Sequence, residues 1–491
     1  MADQNNIAHE VSDSLYTRLA NVVAVDSRLN FYHVSTPPTK SDPLFAPAPG
    51  EKQQRTYRES QFLTVSVHRP DSADKQEVLV YAIEILIYST KTLTTVFVSK
   101  ADSTGYINLL NPSHSRAPSP IRLITSTFIS WLADNRQRPG IRLVVSLFAR
   151  AQDQYLFPGS VENPGKHVLD DRQLVKWWCK TLDPVLRRPL GETCDDSETT
   201  AQAHVIVPGF DKHETSAFFP SSYRTDAADT PKWRHGHPLR DIAPNPTAPP
   251  RCLVAHFPDD PKARYLDELD NELSDKSSSQ ALFSPSKKGN GMWKSIKTLD
   301  QFWDTMAFRQ ECCSGRLVGF IWLVFTPSEP VEFQGPSSRG SQGSLSPLGQ
   351  VSQDLPSISS MLSAPRGTTT SLRKPARRKK LTGPIIPRQP RIKSSSSNVS
   401  STSQPDESSC YRWSEEGRGR VVLDHASYLR VHDLLLRLDF SNADAAAKST
   451  HRWISEVNAI GGTSTGWGKA VDGHLAHPVP AAESTIASNG S

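Results

Sequence analysis

The sequence predicts an α/β fold: a single mixed domain with a central β-sheet surrounded by helices, plus a long disordered linker and C-terminal helices that pack back on the domain. Three observations predict it. Residues 61–113 and 142–150 hold short runs rich in β-branched and aromatic residues between polar turns, the pattern of strands. Apolar residues recur at helical spacing in 119–133, 170–186 and 258–274, so helices and strands alternate irregularly along one stretch. Residues 327–409 turn to serine, proline and glycine with few large apolar side chains, and ordering such a stretch is not offset by burial.

Taken in order, residues 1–60 read as a polar, proline-containing N-terminal extension with one amphipathic helix around Leu15–Leu29. The core spans 61–326. It opens with three strands, FLTVSVHR, VLVYAIEILIY and TTVFVSK. Ser119 and Pro120 start a helix that carries Ile121, Ile124, Phe128, Ile129 and Leu132 on one face. RLVVSLFAR at 142–150 is a further strand, helices follow at 170–186 and 258–274, and 298–311 is amphipathic. LVGFIWLVF at 317–325 is a last buried strand. After the linker, residues 410–460 regain helical periodicity, with Leu429, Val431, Leu434, Leu435 and Leu438 as an apolar face that needs the core as its partner. Residues 461–491 read as a flexible tail.

Composition narrows the class to an intracellular protein without a membrane span. The start carries no charged-then-apolar signal, and the longest apolar run is about half of what a bilayer requires. Cys179, Cys194, Cys252, Cys312, Cys313 and Cys410 show no paired zinc spacing, so no metal is expected and a reducing compartment is the simpler inference. The linker holds a dense basic run, RKPARRKKLTGPIIPRQPRIK at 373–393, readable as a solvated tail, an import signal or a polyanion contact.

The most informative stretch is FPDDPKARY at 257–265. Asp260 before Pro261 is a good helix start, because the carboxylate accepts from exposed backbone N–H groups and proline at the first helical position loses no hydrogen bond. That cap leaves Asp259 without a task, and two adjacent carboxylates beside Lys262 and Arg264 could handle a proton. SKADSTGY at 99–106 follows an apolar strand and falls on a loop at the sheet edge, as a plain turn or as a site. Trp177 and Trp178 follow a cap near Asp170; neighbours on a helix point about 100° apart, so one can pack inside while the other faces a pocket. His167 could act as a base by its near-neutral reference pKa.

SKAD with Gly105 and Tyr106, QYLFP at 154–158, Lys166 with His167, KWW at 176–178 and FPDDPKAR at 257–264 occur here in one order. In that set the chain resembles the fungal histone H3 lysine acetyltransferases of the Rtt type, which are distantly similar to the CREB-binding-protein acetyltransferases. The resemblance spans roughly 60–325 and resumes at 420–460; between 135 and 142 the chain is shorter than the yeast type, which has a long insertion there. The resemblance implies acetyl-CoA as cosubstrate, contacted by Ala101, Asp102, Ser103, Phe148, Gln152, His167, Val168, Leu169, Trp177 and Arg264. It implies a catalytic centre of Asp260, Asp259, Trp178, Asp102 and Tyr155, with Asp260 as proton acceptor and Lys262 as a self-acetylated lysine. The implied substrate is a core-domain lysine of newly made histone H3, presented as H3–H4 in the nucleus by histone chaperones of the NAP family and the anti-silencing type. Direct DNA binding is expected to be weak or absent. The competing class is a non-catalytic chromatin or histone-binding protein with an acidic peptide groove and a basic DNA-contacting tract.

Overall fold

The β-branched runs become one mixed sheet in the computed structural model, which describes residues 14–70, 76–106, 109, 119–189, 199–227, 229–274, 292–309, 316–328, 405–462 and 466–476. Its strands are β1 (Arg28–Ser35), β2 (Thr39–Ser41), β3 (Thr56–His68), β4 (Glu77–Ser89), β5 (Leu93–Ser103), β6 (Arg142–Arg150), β7 (Thr200–Ile206), β8 (Trp233–His235), β9 (Val318–Thr326), β10 (Val421–Val422) and β11 (Lys469–Asp472). The order across the sheet is β10-β1-β3-β4-β5-β6-β9-β7-β8, with β11 also on β1 and β2 on β3. Most neighbours are antiparallel, but β5 and β6 run parallel. A parallel pair needs a crossover rather than a tight turn, and the helix expected at 119–133 supplies it.

The longer helices are α1 (Leu15–Ala20), α2 (Pro120–Arg136), α3 (Asp171–Leu186), α4 (Pro261–Ser274), α5 (Leu299–Ala307), α6 (His425–Leu435) and α7 (Ala443–Gly461). Side chains alternate across the strands, so β4 sends Ile83, Ile85 and Ile87 to one face and Ala82 and Leu86 to the other. On the first face α1, α2 and α3 cover the sheet with Leu19, Phe128, Leu132, Val175 and Leu182. On the other, α4 and α5 close over Phe97, Phe320 and Trp322, while α6 and α7 close over Phe62 and Val78 with Tyr428, Leu435 and Trp453. A sheet covered on both faces explains why its strands read as near-continuous apolar runs. The C-terminal helices therefore pack back on the core, as their periodicity predicts.

Four boundaries differ from the sequence reading. The helix near Leu15–Leu29 ends at Ala20, and β1 lies inside the sheet, paired with β3 from Asn30↔Ser66 to Ser35↔Gln61. Residues 1–60 are thus not simply an extension. The polar residues that hid β1 are satisfied in place: Asn30 Nδ2 donates to Glu77 at 2.5 Å, and His33 Nε2 shares a hydrogen bond with Gln61 Oε1 at 2.7 Å. The 461–491 tail contributes β11, which pairs antiparallel with Arg28–Phe31. At the far side of the linker, Cys410, Tyr411 and Trp413 already pack on Tyr57, and a bridge joins Glu407 to Arg412. Leu429 departs from its assigned apolar face and is 45% exposed. The rest of the linker, with the basic run at 373–393, lies outside the described residues, as do Cys194, Cys312 and Cys313.

His33 gives the fold a pH dependence. The ring is buried edge-on against Phe128 and Trp131, and burial lowers its pKa from 6.5 to about 4, opposed by the Gln61 bond and helped by the Arg136 charge. The unfolded chain therefore takes up this proton first. The contribution is complete above about 6.5 and is lost as the pH falls from there towards 4, at up to about 1.4 kcal/mol per pH unit. Thermal unfolding followed from pH 7 to pH 5 should show a shallower loss in His33→Asn than in the parent chain. Parallel profiles would exclude His33 as the titrating group.

Candidate active site

The parallel ladder of β5 and β6 runs from Leu93↔Arg142 to Phe97↔Ser146 and stops. Beyond it β5 stays with β4 as far as Tyr81↔Ser103, while β6 stays with β9 as far as Arg150↔Val318. The two strands therefore part at their C-terminal ends, the place where open α/β sheets take ligands. The gap is a cleft of about 310 Å³, walled by Val98 to Ser103 of β5, by Leu147, Phe148 and Arg150 of β6, by the 151–169 loop, and by Leu174, Trp177 and Trp178 of α3. Ser119 and Ile121, at the start of α2, close one end.

The SKADSTGY segment organises the loop. Asp102 Oδ2 accepts from the backbone N–H groups of Tyr155, Leu156 and Phe157 at 2.7, 2.9 and 3.3 Å, and its Oδ1 pairs with Lys166 Nζ at 3.0 Å. Lys166 also donates to Ser160 Oγ at 2.7 Å, and the Asp102–Lys166 pair is buried. Gly105 sits at φ +88°, and a Cβ there would stand 2.6 Å from the Lys166 nitrogen, so this buckle tolerates no side chain. Asp102 lies on the cleft wall, but its oxygens are turned to the loop amides, which makes it a positioning group. Tyr155 donates its hydroxyl to the Arg150 carbonyl at 2.6 Å, and burial pushes its pKa to about 12, so it stays protonated.

On α3, Asp170 and Gln173 form a reciprocal capping box that fixes the helix start below the cleft. Trp177 and Trp178 meet edge to face, 4.9 Å apart and nearly perpendicular. Trp178 is buried and Trp177 half-buried, yet both reach the cleft wall. The cleft thus brings together Ala101, Asp102, Ser103, Phe148, Gln152, Tyr155, His167, Val168, Leu169, Trp177 and Trp178, with His167 and Val168 on its exposed rim. Cys179, next on the helix, is fully buried, and burial raises its thiol pKa well above the ordinary value, which disqualifies it as a nucleophile.

The FPDDPKAR segment lies behind this wall. Asp260 caps α4 as expected, accepting from the Lys262 N–H at 2.9 Å, and its carboxylate also pairs with the Lys262 ammonium. Both side chains are buried, and Lys262 Nζ sits 4.7 Å from the centre of the Phe320 ring. Phe257 stacks on Phe97 at 4.1 Å, and Phe97 lies 6.0 Å from Phe148 in the cleft. Asp259, at φ 56°, is exposed and pairs with Lys100 Nζ at 2.9 Å; Lys100 in turn lines the cleft. Asp259, Asp260 and Lys262 therefore border the cleft through Lys100 and an aromatic layer without lining it. Arg264 differs from the expectation of a cofactor contact: it projects to solvent from α4, 3.6 Å from Glu268 one turn on.

Lys100, Arg150, Lys166 and Leu174 also line the cleft and had been given no role there. Lys100 and Lys166 stand inside the SKAD and KH motifs, so the sequence marks both. Arg150 and Leu174 become visible only when β6 and α3 are placed.

The model of the histone acetyltransferase KAT11-type domain matches residues 15–140 and 137–456. The chain belongs to the Rtt109 histone acetyltransferase family. Histone acetyltransferase rtt109 of Aspergillus flavus is 42% identical over 464 residues, 90% of this chain and 81% of the relative. The rtt109 histone acetyltransferase of Schizosaccharomyces pombe is 30% identical over 329 residues, 65% of this chain and 74% of that protein. The crystal structure of Rtt109 from Aspergillus fumigatus superposes with a TM-score of 0.71 at 38% identity, covering 94% of this chain and all of that one. The acetyltransferase acts on histone lysine with acetyl-CoA as its cosubstrate. Because the KAT11-type match begins at residue 15, it includes β1 in the enzyme, in agreement with the sheet.

Proposed function

We propose that the enzyme acetylates a core-domain lysine of newly synthesised histone H3, as H3–H4 held by chaperones of the NAP family and the anti-silencing type, in the nucleus and coupled to replication-dependent nucleosome assembly. The observation that carries the chemistry is an aromatic cleft at the parted ends of β5 and β6 whose Lys100 pairs with Asp259, the neighbour of Asp260 on the segment behind it. A thin, partly apolar pantetheine arm fits such a cleft, with Phe148, Trp177, Val168 and Leu169 against the chain and Ala101, Ser103, Gln152 and His167 offering polar atoms. Trp178 and Tyr155 then line the reacting end, where the Tyr155 hydroxyl stays protonated and held by the Arg150 carbonyl.

A lysine amine has a reference pKa near 10.4, so near neutrality only about one in a thousand is neutral and nucleophilic. A positioned carboxylate helps by roughly 10²–10⁴-fold. The amine nitrogen attacks the thioester carbonyl, its proton passes to the base, and the C–S bond breaks to release the thiol. Asp260 is the base in this reading, and Lys262 restrains it, because its ammonium neutralises that carboxylate. Transfer of an acetyl group to Lys262 removes the charge and frees Asp260, so self-acetylation raises activity.

Incubation of the protein with an H3–H4–chaperone complex and acetyl-CoA, followed by peptide mass spectrometry, should find acetyl-lysine in the folded part of H3 and on Lys262. Acetylation confined to histone tails would sink the core-lysine reading. Full-rate histone acetylation with Lys262 unmodified would remove self-acetylation from the scheme.

A further inference from the structure

Glu84 is the lone charge in the apolar run of β4, and it is buried on the face that α6 covers. Its Oε1 accepts from the Tyr428 hydroxyl of α6 at 2.8 Å, with His432 Nε2 at 3.7 Å. Its Oε2 lies 3.6 Å from Lys100 Nζ, the same ammonium that pairs with Asp259 at 2.9 Å. Burial pulls the Lys100 pKa down, but Glu84 and Asp259 together hold it above the ordinary lysine value. Burial pushes Glu84 up, yet a protonated His432, the Lys100 ammonium and the Tyr428 hydroxyl draw it below the ordinary glutamate value; burial lowers the His432 pKa in turn, so Lys100 is the standing charge beside it. Lys100 is therefore a fixed cation between a buried carboxylate and an exposed one.

The exposed partner needs such a hold. Asp259 is the sole non-glycine residue at positive φ among the described residues, a conformation that costs of order 1–3 kcal/mol and persists only where its surroundings impose it. The same C-terminal segment also reaches the opposite lip of the cleft. Phe440 N–H donates to the Pro158 carbonyl at 2.8 Å, and the Phe440 ring meets Phe157 edge-on at 4.9 Å, next to the amides that Asp102 gathers.

We propose that Glu84 is a positioning residue for the acetyl transfer: backed by Tyr428 of α6, it holds Lys100 where Lys100 pins Asp259 beside the cleft. The C-terminal helix thereby sets the geometry of the lysine-side carboxylates, although it carries none of the reacting groups. This rests on the assignment of Asp259 and Asp260 to the lysine side.

The test uses the full chain with H3–H4 and acetyl-CoA. Glu84→Gln keeps the shape and a partner for Tyr428 but removes the charge. Its kcat should fall about tenfold while the acetyl-CoA Kd, measured by calorimetry, stays within about twofold; a loss of fold alone would not produce that split. Because Glu84 acts through Asp259, adding Glu84→Gln to Asp259→Asn should cost less than about twofold more. Unchanged kcat in Glu84→Gln, or losses that multiply in the double variant, would overturn the proposal. If Glu84→Gln does not fold, Tyr428→Phe decides the matter: it removes only the hydroxyl, and should lower kcat about threefold with acetyl-CoA binding intact, whereas an unchanged kcat overturns the proposal. Asp259→Asn alone separates the two ideas. At the parent rate it refutes the lysine-side assignment; a slow Asp259→Asn beside a fast Glu84→Gln refutes only the positioning role.

Discussion

Asp260→Asn should cost the enzyme both stability and turnover, and a second substitution should separate the two losses. Asparagine keeps the oxygen that accepts from the Lys262 N–H, so the helix cap survives. From the sequence alone, stability would then barely change. The structure alters that expectation, because the Lys262 ammonium is buried against the same carboxylate. Removing one partner of a buried pair leaves an uncompensated charge and costs roughly 3–5 kcal/mol. Adding Lys262→Gln removes the orphaned ammonium and should bring the unfolding free energy back to within about 1–2 kcal/mol of the parent. Turnover should not follow. If Asp260 takes the proton, the single and the double variant both stay at least tenfold slow in initial-rate assays with acetyl-CoA and H3–H4. A stable double variant that works at the parent rate would reduce Asp260 to a helix cap.

Arg136→Met should be the most damaging change to the fold. Arg136 ends α2, fully buried, with Nε donating to Glu59 Oε1 at 2.5 Å and Nη2 to the Gly417 carbonyl at 2.8 Å. A Cβ at Gly417 would meet the guanidinium at 2.2 Å, so the post-linker segment is moulded around it. Glu59 is buried too, and burial raises its pKa despite Arg136. Arg136→Met strands that carboxyl and the Gly417 carbonyl, at a cost of about 3–5 kcal/mol in denaturant unfolding. Arg136→Met with Glu59→Gln should recover part of it, because the neutral amide no longer carries a buried charge. Equal losses in both variants would mean that the packing of Arg136, not its charge, matters.

The sheet was legible wherever a strand is buried on both faces, as in VLVYAIEILIY, VVSLFA and GFIWLVF, because the runs stay apolar but for the single residues Glu84 and Ser146. β1 was not, because Asn30 and His33 find their partners on β3 and β4, distant in sequence. β7 escaped for a related reason: TAQAHVI alternates half-buried polar with buried apolar positions, a weak signal in a short run. Of the site, the residues that touch the cleft came from ordered motifs, and all but Arg264 of the assigned cofactor set reach it. What the motifs concealed was direction. Asp102 turns its carboxylate to the loop, Asp260 turns its own to Lys262, and Glu84, the odd charge in an apolar strand, links the cleft to a helix more than three hundred residues later.

The pairing of β1 ties the order of synthesis to the order of folding. Val34 pairs with Val421 and Arg28 with Asp472, so β1 waits for segments made roughly four hundred residues after it. At about 5–20 residues per second, a ribosome takes roughly 20–80 seconds to bridge that interval. Throughout it the β1 edge presents unpaired amides and carbonyls, a template for any neighbouring strand. A chain halted in the linker would emerge with its sheet complete from β1 to β9 but with that edge bare. Such fragments should associate through it, and only completed chains escape that fate.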